Sequence, residues 1–328
     1  MNRRTLLTGT IALLTMPFAV EAQQPERMPS IGMIFGGTAN MVAHIAAAFE
    51  QRLGDLGYAK GRNIRIDYQY TDGTPVNVQA VTTELLGRNV DLLVTWGTVG
   101  GVAAKKANAT IPVVFLSVAD PVAVGLVSNL ARPGGNMTGV TSEASSETYA
   151  KRLQLLKEIV PGLSRVAVLH SMGDANVGQA MDAINRGALA LGIPDVLPVG
   201  VRDAGEIDGA FTTMKKQRAQ GLLVIGSAFT WAHRQQIADL ALRTSLPSSH
   251  QFKESVAAGG LIGLGADLVE MARQGAGYAD KILKGIKPRD LPVEQPARYE
   301  LHINLKTAKA LGLTIPPSLL LRADQVIQ

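Results

Sequence analysis

The feature that most constrains the fold is a repeated alternation of short apolar runs with longer amphipathic stretches. Residues 30–35 form a continuous apolar run, which predicts a buried strand. Residues 41–56 then place apolar side chains at four-residue spacing, which predicts a helix. The same unit recurs through residues 64–117. Strands that alternate with helices predict parallel sheets covered by helices on both faces.

A second set of the same units follows the turn-rich segment 132–136 and continues to residue 244. The chain is therefore expected to be α/β, with two doubly wound parallel-sheet lobes joined by a hinge of several crossings. The predicted boundaries separate a first from a second lobe: the first comprises 29–141 plus 263–290, and the second comprises 142–262 plus 291–328.

The N-terminal segment 1–22 has the three parts of a secretory signal peptide: a basic start, a short apolar run and small residues before a cleavage site. A membrane anchor is the alternative, but the run of about 15 apolar residues is shorter than a spanning helix needs. Cleavage after Ala22 and a periplasmic location are expected. The pair Arg3-Arg4 leaves the Sec and twin-arginine export routes both open.

The composition excludes several classes of protein. There is no cysteine, so neither disulfides nor a cysteine-linked lipid can form. The net charge of +5 is spread along the chain rather than gathered in a basic arm, which argues against a nucleic-acid partner. The five histidines lie at no metal-ligand spacing, and no nucleophile elbow or phosphate-binding glycine loop occurs. No metal, no cofactor and no catalytic residues are therefore expected.

Candidate ligand-binding residues come from the loops that follow the predicted strands, because ligands bind at the carboxyl ends of strands in open parallel sheets. These candidates are Gly37, Thr38, Trp96, Gly97, Thr98, Ser117, Asp120, Thr141, Ser171, Asn176, Ser227 and Trp231.

Each type of candidate has a binding role and a structural alternative. Glycine and threonine before a helix can seat a carboxylate, as can Thr141, or can simply form the turn and cap the helix. Trp96 and Trp231 both follow strands, so they can wall a cleft for a flat ligand or pack under a helix. Asp120 can hold an ammonium group, or can serve the turn that precedes Pro121.

Two long motifs resemble a known family. The segments 132–141 (RPGGNMTGVT) and 300–308 (ELHINLKTA) are similar to signatures of the ABC-transporter substrate-binding proteins that include tryptophan- and other amino-acid-binding members. The resemblance covers nearly all of the chain after the leader. It implies the type I periplasmic binding fold, in which a ligand is trapped between two lobes and passed to a membrane permease.

The resemblance does not extend to every cleft loop. Family members often have a Thr-Gly-Thr-like turn where this chain has Trp96-Gly97-Thr98, and Phe-Phe-Asn where it has Phe229-Thr230-Trp231. The family's amino-acid specificity is therefore not carried over to these positions.

The leading functional hypothesis is a monomeric periplasmic receptor of an ABC importer. Its partners would be a small carboxylate, such as an amino acid or aromatic acid, and an ABC permease in the inner membrane. Two alternatives stay open: an exported hydrolase-like α/β enzyme, and a ligand receptor for a sensor kinase.

Overall fold

The structure is a computed structural model that describes residues 28–328, so the predicted signal peptide 1–22 lies outside the described residues. The expected alternation of strands and helices is present in the first part of the chain. Its elements are β1 (Ser30–Gly36), α1 (Ala39–Asp55), β2 (Arg65–Thr71), α2 (Pro75–Gly87), β3 (Leu92–Trp96), α3 (Gly97–Lys106), β4 (Val113–Val118) and β5 (Met137–Thr141).

These strands form a parallel sheet in the order β2-β1-β3-β4-β5. All seven residues of β1 are buried, because helices cover both faces of the sheet. A later helix, α10 (Leu268–Leu283), packs against α1 and completes this layer, with Ile45 and Phe49 meeting Met271 and Ala272 in one apolar cluster. We call this sheet and its helices the first lobe.

The second lobe contains most of the remaining elements. In chain order they are α4 (Glu147–Ile159), β6 (Arg165–Ser171), α5 (Val177–Ala190), β7 (Asp195–Val201), α6 (Ile207–Lys216), β8 (Gly221–Val224), α7 (Ala228–Ala232), α8 (Arg234–Arg243), β9 (Ser248–His250), α9 (Lys253–Ala257), β10 (Ile262–Gly265), β11 (Glu300–Asn304), α11 (Leu305–Ala310), α12 (Pro317–Leu320) and β12 (Gln325–Ile327). Short 3-10 turns occur at Ala204–Glu206 and Pro288–Asp290.

The sheet of the second lobe has the order β12-β11-β10-β9-β8-β6-β7. The prediction of two doubly wound α/β lobes is confirmed, with one departure from a parallel sheet. β10 and β11 are antiparallel, with Gly265 opposite Glu300. The reason is that β10 ends at the hinge and β11 starts there, since the chain returns from the first lobe at the same end of the sheet.

Some elements differ from the periodicity prediction for physical reasons. β9 is short and polar in sequence, although its three residues are buried, so no apolar run marks it. The sequence predicted no strand over β5, whose central residue Gly139 approaches β4 so closely that a Cβ atom would lie 1.8 Å from the Phe115 carbonyl oxygen. The helix predicted over 231–244 is instead two helices, α7 and α8, which separate at His233.

Within residues 28–328 the chain crosses between the lobes three times, at 142–146, 266–267 and 295–299. The predicted lobe boundaries at 263 and 290 are therefore displaced: β10 still belongs to the second sheet, and Glu294 still pairs with Val140 of the first. The first and third crossings are joined, because the Gln295 side chain donates to the Ala144 carbonyl oxygen at 3.1 Å.

A buried ion pair lies at the hinge. Arg152 of α4 is fully buried and donates to Glu143 in the first crossing at 2.7 Å. Its Nε also donates to the Leu264 carbonyl oxygen, just before the second crossing, at 2.7 Å. Gln251 donates to the same Glu143 oxygen at 2.8 Å. One side chain therefore connects two of the three crossings.

We expect Arg152→Leu to lower the free energy of unfolding by about 3–5 kcal/mol, because it leaves the Glu143 carboxylate buried without its partner. Urea denaturation followed by circular dichroism measures the change. The double variant Arg152→Leu/Glu143→Leu should recover much of the loss, since it removes both buried charges.

A matched control is the exposed pair Arg186–Glu147, which joins α5 to α4 at 3.2 Å. Arg186→Leu should change stability by less than about 1 kcal/mol, because solvent screens this pair. Equal effects of the two arginine substitutions would contradict the role assigned to Arg152.

Candidate functional site

The carboxyl ends of the first-lobe strands face the second lobe across a cleft. The apolar part of this cleft, which we call the aromatic chamber, has a cavity volume of about 50 Å³ within about 520 Å³ of space that includes its open mouth. Its lining residues are Phe35, Gly36, Val42, Ile45, Trp96, Gly97, Thr98, Ser117, Ala119, Ser142, Asn176, Gly226, Ser227, Ala228, Trp231, Gln251, Phe252 and Leu268. None of them carries a formal charge, so the chamber suits an uncharged planar group.

Each lobe contributes one tryptophan to the chamber wall. Trp96, at the end of β3, stacks on Phe35 of β1, with ring centroids 5.4 Å apart and 21° between the planes. Trp231, on α7, carries the Arg234 guanidinium 4.0 Å from its ring centroid. Both indole N–H groups are buried without a hydrogen-bond partner. They are therefore donors that can meet an acceptor in the chamber.

The start of α3 adds backbone donors to the same wall. Gly97 adopts φ +75°, which permits the turn from β3 directly into the helix. No side chain caps this helix, so its first N–H groups are free of a capping bond. Together with the positive end of the helix dipole, they form a seat for an anionic group.

A second chamber, which we call the acidic chamber, adjoins the first and has a cavity volume of about 240 Å³ within about 660 Å³ of space that includes its open mouth. Its lining residues are Ala119, Asp120, Pro121, Val122, Leu130, Thr141, Glu143, Ala144, Ser145, Ser146, Tyr149, Asn176, Gln179 and Gln295. Ala119 and Asn176 line both chambers, so the two are neighbours that share this wall.

Carboxyl groups in this region are held in different environments. Burial raises the pKa of Glu143, and the Arg152 guanidinium opposes that shift. Burial also raises the pKa of Asp174 to about 6; this residue lies in the loop between β6 and α5 that carries Asn176. Asp120 accepts a hydrogen bond from Gln179 of the second lobe at 2.8 Å.

The lobes are in direct contact at the cleft. Ala228, at the start of α7, lies against three glycine turns of the first lobe. A Cβ atom on Gly36 would lie 2.9 Å from the carbonyl oxygen of Ala228. A Cβ atom on Gly73 would lie 2.4 Å from the carbonyl carbon of Ala228. The third turn is at Gly97, whose Cβ would lie 3.5 Å from that of Ala228. The structure therefore shows a closed cleft.

Two further findings concern the residues that the structure describes. Residues 28–328 contain no cluster of three or more His, Asp or Glu side chains arranged to hold a metal ion. Among the helices in the same range, none combines the length and the apolar character required to cross a lipid bilayer.

Comparison with known proteins assigns the family. A family model described as ABC transporter substrate binding protein matches residues 39–327. The chain belongs to this family. The resemblance expected from the two sequence motifs is thus confirmed, and the protein is a substrate-binding protein of the ABC transporter type.

Three relatives of this substrate-binding protein are informative. It is 26% identical to a tyrosine-binding protein of Clostridioides difficile over 81% of its own length and 75% of the relative's. A conserved domain protein of Vibrio cholerae has a similar structure, with a TM-score of 0.83, 26% identity, and coverage of 92% of this chain and 100% of the other. A Streptococcus pneumonia ABC domain crystallised with L-Trp gives a TM-score of 0.82 at 25% identity, with coverage of 91% and 99%.

The structure gathers most of the candidate residues around the two chambers. Those that line the aromatic chamber are Trp96, Gly97, Thr98, Ser117, Asn176, Ser227 and Trp231, and those that line the acidic chamber are Asp120, Thr141 and, again, Asn176. Three candidates line neither chamber. Gly37 lies beneath the Trp231 ring, Thr38 is exposed at the start of α1, and Ser171 is buried at the end of β6.

Sequence reasoning missed several lining residues. Phe35, Val42 and Ile45 lie within predicted elements, so their apolar character indicated only a core. Gln251 and Phe252 lie between β9 and α9, a segment without apolar periodicity. The sequence could have indicated Phe35 as a lining residue, because it is the last large side chain before the glycine turn that ends β1.

We expect Gly73→Ala to weaken ligand binding in the closed cleft by about tenfold or more, because its Cβ would meet the α7 backbone and hold the lobes apart. Small-angle X-ray scattering should show a larger radius of gyration, and calorimetry should show the loss of affinity.

Gly61→Ala is the matched control. Gly61 has the same φ of +79°, but no atom lies within 4 Å of its added Cβ. Both substitutions introduce the same backbone strain, so only the steric block at the lobe interface differs. Equal affinities of the two variants would show that Gly73 does not limit closure.

Proposed function

We propose that this protein is the exported solute receptor of an ABC importer and that it holds a small aromatic carboxylate, such as an amino acid or an aromatic acid. The observation that carries the proposal is the aromatic chamber, which has one tryptophan from each lobe and no charged lining residue. A planar ligand between Trp96 and Trp231 would contact both lobes at once. Binding would therefore favour the closed arrangement.

The relatives support the choice of an aromatic ligand. One curated relative is named a tyrosine-binding protein, and one structural relative was crystallised with L-Trp. Both ligands combine a flat ring with a carboxylate and an amine. The chamber described above offers a stacking surface of that kind and donors at its edge.

The carboxylate would bind at the start of α3. Backbone N–H groups at Gly97 and Thr98 and the helix dipole favour negative charge there. The hydroxyl group of Ser142 lines the same chamber and adds a hydrogen-bond donor, whereas that of Ser227 is used to cap α7 through Thr230. The unpartnered indole N–H groups of the two tryptophans complete the set.

The remaining parts of the proposal concern context. The receptor would act as a monomer outside the cytoplasmic membrane and would pass its ligand unchanged to an ABC permease, without a nucleic-acid partner. The hydrolase-like alternative predicts turnover of the ligand. The sensor-kinase alternative predicts the same binding with a different membrane partner. A pull-down with the purified permease distinguishes the two, because only an importer receptor should bind the permease.

A thermal-shift screen of amino acids, aromatic acids and sugars tests the proposal. A ligand at a hundredfold excess over its Kd should stabilise the folded state by about 2.7 kcal/mol and raise the melting temperature. Hits should be aromatic and should be recovered unchanged by mass spectrometry. Recovery of a converted product would support the enzyme instead, and hits confined to sugars would refute the aromatic ligand.

We expect Trp231→Ala to weaken binding of an aromatic hit by about 1–3 kcal/mol, because it removes one stacking wall. Trp231→Phe is the control, since it keeps an aromatic surface and should lose less. The chain has two tryptophans, so fluorescence of Trp96→Phe and Trp231→Phe assigns any ligand-induced change to one wall. Unchanged fluorescence and unchanged affinity in all variants would place the ligand elsewhere.

A further inference from the structure

One contact between the lobes joins two titratable side chains that line neither chamber. His44, on α1 of the first lobe, places its Nε2 3.4 Å from Oε1 of Glu254, on α9 of the second lobe. The two residues belong to different lobes, so their contact exists only while the lobes are close together.

The carboxylate of this pair is mostly buried and is not fully hydrogen-bonded. The Glu254 side chain is 10% exposed, whereas that of His44 is 44% exposed. Glu254 Oε2 is buried and accepts no hydrogen bond from the described residues. A buried carboxylate gains more from a nearby cation than an exposed one, because less water solvates it. A protonated His44 therefore stabilises Glu254 more than a neutral one does.

Two further cations lie near Glu254, and both belong to its own lobe. Burial lowers the pKa of the Arg234 guanidinium on α8, and the Glu254 carboxylate opposes that shift. Lys253 precedes Glu254 on α9, adds its charge nearby and pairs with Asp267 at 2.9 Å. Because Arg234 and Lys253 are in the second lobe, their distance from Glu254 does not depend on closure. The contribution of His44 does.

On the first-lobe side, Glu254 is the charged group that faces His44. Within residues 28–328 His44 is paired with no other charged side chain. The helices α1 and α10, which pack together, hold ion pairs of their own, such as Arg52–Asp55 at 3.9 Å and Glu270–Arg273 at 3.4 Å. These pairs join residues of the same helix, so they do not link the lobes.

We infer that His44 and Glu254 form a latch between the lobes, which favours the closed cleft when His44 carries a proton. Histidine is the side chain that ordinarily changes charge between about pH 5 and 8. In the closed protein a protonated His44 meets a carboxylate, and when the lobes part it meets only water. The stabilisation of the closed form is therefore present at acidic pH and is lost as the pH rises.

The latch adds regulation to the cleft and does not depend on the identity of the ligand. It rests on the proposed function only in that the cleft must open and close. A ligand that binds both lobes is held more tightly when the closed form is favoured, so affinity should fall as the pH rises.

Two other titratable groups lie where the lobes meet. Burial lowers the pKa of His233, between α7 and α8, and Asp72 of the first lobe opposes that shift. Burial raises the pKa of Asp174 to about 6, and this residue follows a glycine turn that meets α2 of the first lobe. Both groups can add to the pH dependence of closure. The test is therefore the part of that dependence that His44 alone contributes.

Double electron–electron resonance between two spin labels measures closure of the ligand-free protein. The chain has no cysteine, so Arg62→Cys and Leu189→Cys place the labels uniquely. Both sites are exposed and lie at the ends of their sheets away from the cleft, since Arg62 precedes β2 and Leu189 is near the end of α5. The short-distance fraction should be about threefold larger at about pH 5.5 than at about pH 8. A fraction that does not change over this range overturns the inference.

His44→Gln in the labelled protein removes the titratable ring but keeps a hydrogen-bonding group. It should lose most of the threefold difference and should leave the closed fraction at about pH 8 near that of the labelled parent. Arg52→Gln is the matched control, because Arg52 is on the same helix and is also 44% exposed, but its partner Asp55 lies within α1. Equal pH dependence in His44→Gln and in the labelled parent overturns the latch.

A double-mutant cycle tests the partner. Glu254→Gln should also lose most of the pH dependence, and His44→Gln/Glu254→Gln should lose no more than the larger single change. A double variant whose loss equals the sum of the two single losses shows that the residues act separately, which overturns the latch.

The outcomes separate this inference from the proposed function. If closure is independent of pH while an aromatic ligand binds, the latch fails and the aromatic receptor stands. If closure depends on pH through His44 but no aromatic ligand binds, the latch stands and the proposed ligand fails.

Discussion

One buried ion pair ties two of the hinge crossings to the second lobe. Arg152 reaches Glu143 in the first hinge crossing and the carbonyl oxygen of Leu264 beside the second. Removal of one partner from a buried ion pair is strongly destabilising, because it leaves the other charge uncompensated. The Arg152 side chain thus holds the first and second crossings against α4 of the second lobe.

The close contact between the lobes depends on glycine residues, which have no side chain, in the turns of the first lobe. The α7 backbone approaches the turns at Gly36 and Gly73 so closely that a Cβ atom on either would overlap it. These contacts bring Trp231 of the second lobe onto the core of the first, where it joins the apolar cluster of Phe35 and Trp96. The walls of the aromatic chamber therefore come from both lobes, and the chamber exists only where the lobes meet.

Periodicity predicted the fold well because each lobe repeats one unit, in which a buried strand and an amphipathic helix have distinct patterns. Periodicity failed where polar residues are buried. In β9 the three buried residues are Ser248, Ser249 and His250, so no apolar run marks the strand. The strand-end rule found Trp96 and Trp231 but not Glu143. Glu143 lies in a hinge crossing, and its contact with Arg152 depends on how the lobes are arranged, which local sequence does not encode.

The two chambers show why family membership and ligand choice are separate questions. The hinge, the sheets and the glycine turns create a closed cleft, and they are features of the scaffold. Ligand choice depends on a few side chains at its wall, where Asn176 faces both an uncharged aromatic surface and a group of oxygen acceptors. Members that share this scaffold can therefore hold different ligands, because a change of one wall side chain alters the contacts of the ligand without altering the hinge or the sheets.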